Sequence, residues 1–100
     1  MSDLEIRNID GVDVVRFLPQ GVCSKVMELR VKDDIIQSFE AVGGCSGNLQ
    51  GIARLVQGAN IHDVVSRLKG IPCGSRPTSC PDQLSICIQA YINEKAKITA

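Results

Sequence analysis

Five cysteines in 100 residues are the side chains of this sequence best suited to chemistry. Four stand at bends beside small residues: Cys23 in Gly21-Val22-Cys23-Ser24, Cys45 in Gly43-Gly44-Cys45-Ser46-Gly47, Cys73 between Pro72 and Gly74, and Cys80 between Ser79 and Pro81. Small neighbours leave a sulfur accessible and let backbone amides turn toward it. Cys87 differs: Ile86 and Ile88 flank it, and it shares a helical face with Leu84 and Tyr91. It reads as an inert core residue, because a thiol packs as a small hydrophobe. Cys45 and Cys80 each precede an expected helix, where unpaired amides and the positive end of the dipole favour a thiolate. Together the four loop cysteines form the donor set that structural zinc prefers in a tetrahedral site. Their intervals are long and contain no C-x-x-C knuckle, so the site requires a fold that gathers the loops at one end of a sheet.

Other chemistries find little support. His62 is the only histidine, and its place between Asn60 and Asp63 reads as a helix surface rather than a ligand position. Gly43-Gly44-Cys45-Ser46-Gly47-Asn48 has the glycines of a phosphate loop but lacks its lysine. No catalytic triad or carboxylate pair stands out. Eleven basic residues balance eleven acidic ones, without a Lys/Arg run or interleaved aromatics, which argues against nucleic-acid binding. No apolar run approaches the ~18 residues of a membrane span, and the acidic start Met1-Ser2-Asp3-Leu4-Glu5 has no secretory apolar region. The expected location is therefore the cytoplasm, a reducing compartment. An odd number of cysteines there points to metal or redox chemistry rather than a disulfide framework.

The elements that must position the sulfurs follow from periodicity. Val12 to Leu18 is β-rich and closes on Pro19-Gln20-Gly21, an expected edge strand and turn. From Lys25 to Lys32, Met27, Leu29 and Val31 fall on one face and Glu28, Arg30 and Lys32 on the other, the period of a half-buried strand. Asp33-Asp34 connects it to a third strand over Ile35–Val42, giving an antiparallel hairpin in which Gln37 shares a face with Ile35, Phe39 and Ala41.

Helical spacing follows at Leu49, Ile52 and Val56, ending at Gly58. Asn60 is a good N-cap for a second helix, with Asp63 at N3, a stripe of Ile61, Val64, Val65 and Leu68, and a stop at Gly70. Ile71 to Pro77 is irregular. Ser79-Cys80-Pro81-Asp82 starts a last helix, with Pro81 expected at its first position, Asp82 complementing the dipole, and Leu84, Cys87, Ile88, Tyr91 and Ile92 facing inward. The expected fold is one α+β domain over residues 1–100, ordered from about 12 to 95: a small antiparallel three-stranded sheet packed by about three helices.

Thr78-Ser79-Cys80-Pro81-Asp82, continued by Gln83-Leu84, resembles the signature of the TSCPD-domain family. The segments around Cys23, Cys45 and Gly70-Ile71-Pro72-Cys73-Gly74 look like those of its small stand-alone members, and the resemblance covers about residues 12 to 95. Related domains lie at the C-terminus of cobalamin-dependent ribonucleotide reductases, so the resemblance implies a link to that enzyme. This chain is too short to hold the reductase barrel and reduce nucleotides unaided.

A more distant resemblance is to iron–sulfur scaffold proteins of the NifU N-terminal type, which implies a NifU/SufE-like fold. Their element order is similar, and Cys23, Cys45 and Cys80 match the three ligand cysteines of that family. Lys25 stands where the scaffold has an aspartate, Ser79 where it has a histidine, the chaperone-recognition motif is absent, and Cys73 has no counterpart. The resemblance thus implies a more permanent site at Cys23, Cys45, Cys73 and Cys80, with zinc as the expected occupant and an iron–sulfur cluster as the alternative. The expected partner is a protein, either a reductase or a cluster-assembly component. A rival function is a thiol–disulfide accessory passing electrons to a ribonucleoside-diphosphate reductase, with Cys73 and Cys80 as the tempting pair. A third is a structural adaptor with incidental cysteines.

Overall fold

The chain alternates apolar and polar residues along four strands, then switches to helical spacing. A computed structural model describes residues 4–19, 24–43, 46–71, 75 and 78–99. Strands β1 (Leu4–Ile9), β2 (Val12–Phe17), β3 (Ser24–Lys32) and β4 (Ile35–Gly43) form an antiparallel meander in the order β1-β2-β3-β4. Helices α1 (Ser46–Val56), α2 (Ile61–Leu68) and α3 (Cys80–Thr99) follow. Val15, Phe17, Met27, Leu29, Val31, Ile36 and Phe39 of the sheet pack with Leu49, Val56, Ile61, Val64, Leu84, Ile88 and Tyr91 of the helices in one core. The helices thus cover one sheet face, and the other carries Arg16, Glu28 and Arg30.

The sheet has four strands rather than the expected three. β1 precedes Val12 and pairs with β2 from Leu4↔Phe17 to Ile9↔Val12 through Asp10-Gly11, whose φ values of 53° and 84° make the left-handed pair that a two-residue hairpin needs. β1 is an edge strand on which only Leu4 and Ile6 are partly buried, so its apolar signal is faint. Asp33-Asp34 turns in the same way, with φ of 52° and 65°; aspartate tolerates that region better than most residues.

β4 also differs from expectation. Arg30 pairs with Ser38 and Val31 with Ile36, leaving Gln37 as an extra residue in a bulge. The bulge shifts the parity of the strand, so Ile36 and Phe39 both face the core and Ile35 does not. Ile36 also exchanges backbone bonds with the α1–α2 connection, donating to Ala59 O at 2.9 Å and accepting from Gly58 N at 2.8 Å. Asn60 caps α2 as expected, its side chain accepting from the His62 amide at 2.8 Å.

Further contacts show which way α2 and α3 run. α2 starts beside the β3–β4 turn, where the Ile61 amide donates to Asp34 O. Tyr91 of α3 lies at the same end: its hydroxyl donates to Asp13 Oδ2 at 2.5 Å, and Lys95 Nζ sits 3.2 Å from the same carboxylate. Cys80 is eleven residues before Tyr91, about 16 Å back along the helix axis. The starts of β3, α1 and α3 and the ends of β4 and α2 therefore lie away from the two hairpin turns.

The Asp13 contacts make a pH prediction. Burial raises the Asp13 carboxyl, but hydrogen bonds from Asn8, Tyr91 and Lys95, with the charge of Lys95, outweigh it and hold the group below its ordinary value. A depressed folded-state pKa contributes stability that is fully present above the unfolded carboxylate value, about 3.9, and is lost as pH falls through the folded one. Urea midpoints measured from about pH 6 to pH 3 should therefore fall more for the wild type than for Asp13→Asn. Parallel curves would refute this role for Asp13.

Candidate functional site

Cys80 is the first residue of α3, one step further into the helix than expected, and Pro81 the second. Proline suits this place because the first four amides of a helix have no internal partner. Cys80 is partly buried and packs against the core. Around it the α2–α3 junction is closed by a clasp of short bonds. Ser79 is the N-cap: its Oγ accepts from the Asp82 amide at 3.2 Å, and its hydroxyl donates to Ile71 O at 2.6 Å. The Asp82 carboxylate accepts from the Gly70 amide at 2.7 Å through Oδ1 and from the Thr78 hydroxyl at 2.6 Å through Oδ2. Gln83 Nε2 donates to Thr78 Oγ1 at 3.0 Å, and Ser85 donates to Asp82 O at 2.6 Å. Ser79, Asp82, Gln83 and Ser85 are all buried.

Sequence reading missed this clasp. It placed Asp82 near the helix dipole, but the carboxylate also reaches twelve residues back to Gly70. The Ser79-x-x-Asp82 spacing is a capping-box pattern and could have identified Ser79 as the cap. Nothing local indicates the bonds to Gly70 and Ile71.

Cys87 has the environment expected of it. It is fully buried among Leu84, Ile88 and Tyr91, and burial pushes its thiol up to about 12, so it remains protonated at neutral pH. Its seven-residue separation from Cys80 on one helix is about 10 Å along the axis, too far for a disulfide.

Cys23, Cys45 and Cys73 lie outside the described residues. Ser24, which follows Cys23, is the register partner of Gly43, two residues before Cys45. Ile71, two residues before Cys73, is tied to Ser79, which precedes Cys80. Among the described residues, no three of His, Cys, Asp and Glu are grouped to hold a metal ion.

His62 is on the surface, as expected, with Nε2 3.8 Å from Asp34 Oδ2. It belongs to the turn-bearing end, opposite the start of α3. A concavity of about 570 Å³ on the open sheet face is lined by Glu5, Arg7, Arg16, Glu28 and Arg30. Glu28 there is paired with Arg16 at 3.2 Å and Arg30 at 2.9 Å, so the charges largely satisfy one another. No helix among the described residues is long and apolar enough to cross a membrane.

A family model described as the TSCPD domain matches residues 6–92. No curated protein and no solved structure matches the chain.

Proposed function

Because the chain belongs to the TSCPD-domain family, we propose that it is a metal-binding module whose Cys23, Cys45, Cys73 and Cys80 hold one zinc ion as four thiolates. The observation that carries this reading is the pairing of Ser24 with Gly43 at the end of the sheet from which α1 and α3 also start. The covalent chain keeps Cys23 and Cys45 within about 8 Å of that strand end, since consecutive Cα atoms are 3.8 Å apart. The same limit keeps Cys73 within about 8 Å of Ile71, which the clasp ties to Ser79 beside Cys80. A fold of the iron–sulfur scaffold type, as the sequence resemblance implies, would bring the loops together.

The donor chemistry favours an all-sulfur site. His62 and Asp34 stand at the opposite end, and both Asp82 oxygens already accept hydrogen bonds from Gly70 and Thr78. An iron–sulfur cluster on the same cysteines is the alternative occupant. The family likeness to the reductase C-terminal domain gives the module an accessory or scaffold role beside a reductase or a cluster-assembly component.

The clasp also favours a second reading, because it draws together the ends of the segment that carries Cys73 and Cys80. These two thiols would lose two electrons and two protons to an acceptor disulfide and form a bond between themselves, as a redox accessory does.

Elemental analysis and an absorption spectrum of freshly purified full-length protein separate the readings. One zinc per chain without colour is expected. Iron with visible absorbance would replace zinc by a cluster, and a colourless, metal-free protein would overturn the metal reading.

A further inference from the structure

We propose that Asp82 is the positioning residue of the cysteine site, its carboxylate fastening Gly70, just past the end of α2, to the first turn of α3 and so fixing where the Cys80 sulfur stands. The inference rests on the reading that Cys80 is a member of that site. Asp82 is only 8 % exposed, two residues beyond Cys80 in the first turn of α3. A carboxylate there would cap the helix equally well from the surface. Its burial is explained by the partners it gathers from outside the helix: the Gly70 amide on Oδ1 and the Thr78 hydroxyl on Oδ2.

Charge-assisted bonds of this kind are short and directional, and they specify geometry where an apolar residue would supply only adhesion. Ser79 completes the frame from the other side, bonding both Ile71 O and the Asp82 amide. Three of the four other residues of Thr78-Ser79-Cys80-Pro81-Asp82 thus hold the junction by hydrogen bonds, and Pro81 stiffens the helix start. The signature is a frame built around one sulfur.

The test uses the full chain stripped of metal, with Cys80 alkylation by iodoacetamide followed by peptide mass spectrometry and Cys87 as the internal buried control. Asp82→Asn keeps an acceptor for Gly70 but loses the carboxylate, Thr78→Val removes the hydroxyl at nearly constant volume, and Thr78→Ser retains it. Circular dichroism confirms that each variant is folded at the temperature used. Cys80 should label at least tenfold faster in Asp82→Asn and Thr78→Val, and within twofold of wild type in Thr78→Ser. Labelling within twofold of wild type in both disruptive variants would overturn the inference.

Zinc content of unstripped wild type, measured alongside, decides the metal reading separately. A zinc-free wild type with the expected labelling pattern removes the metal and keeps the positioning role. A zinc-loaded wild type with unchanged labelling does the reverse.

Discussion

If the proposed zinc site is formed, alanine at Cys80 should abolish zinc binding and lower the thermal midpoint by more than about 10 °C, whereas alanine at Cys87 should leave zinc binding intact. The two thiols lie on the same helix and differ only in surroundings. Metal ligation requires a thiolate, and structural zinc in small modules is worth about 10–16 kcal/mol in apparent binding. Losing one of four ligands forfeits several kcal/mol of that, and each kcal/mol moves the midpoint of a domain this size by roughly 4–8 °C. Cys87 has no access to solvent and a thiol raised to about 12, so it cannot serve as a replacement ligand. Its substitution removes one buried sulfur, at a cost of about 1 kcal/mol. Metal analysis and thermal melts of the two variants check this; equal zinc contents would refute the assignment of Cys80.

Tyr91 carries the second large effect. It is 1 % exposed and is among the largest fully buried side chains, in a core with few aromatics. Tyr91→Ala should cost about 3–5 kcal/mol, the range for removing a buried aromatic ring. Tyr91→Phe keeps the ring and removes only the bond to Asp13, for about 1–2 kcal/mol. Lys95 remains over the ring, its Nζ 5.5 Å from the centroid, and still pairs with Asp13, which limits the Phe variant's loss. Burial and the facing Asp13 carboxylate push the Tyr91 phenol up, so the hydroxyl remains a donor through the physiological range. Urea unfolding of the two variants separates ring from hydroxyl, and equal losses would contradict this division.

The parts of the fold legible in the sequence were those whose signals are local. Met27, Leu29 and Val31 announced β3 because alternate residues face the core, and Asn60 announced α2 because an asparagine oxygen reaches the next amides. β1 was missed although Asp10-Gly11 is a strong hairpin signal, since an exposed edge strand buries too little to show a clear apolar face. The facing of β4 was misread because one bulged residue, Gln37, reverses which side chains point inward. At the candidate site the same limit applied. Cys87 could be told from the loop cysteines by its isoleucine neighbours, and Ser79 sits where a cap belongs. The bonds between Asp82 and Gly70 and between Ser79 and Ile71 tie the segment after α2 to the start of α3 across eight to twelve residues, and such pairings are decided by packing rather than by spacing.

In the proposed site, sulfurs from separate loops meet at one zinc ion. X-ray absorption at the zinc edge of the purified protein would count the neighbours of such an ion directly. Four sulfur scatterers at about 2.3 Å are expected. A first shell of nitrogen or oxygen, or one with two or fewer sulfurs, would contradict it.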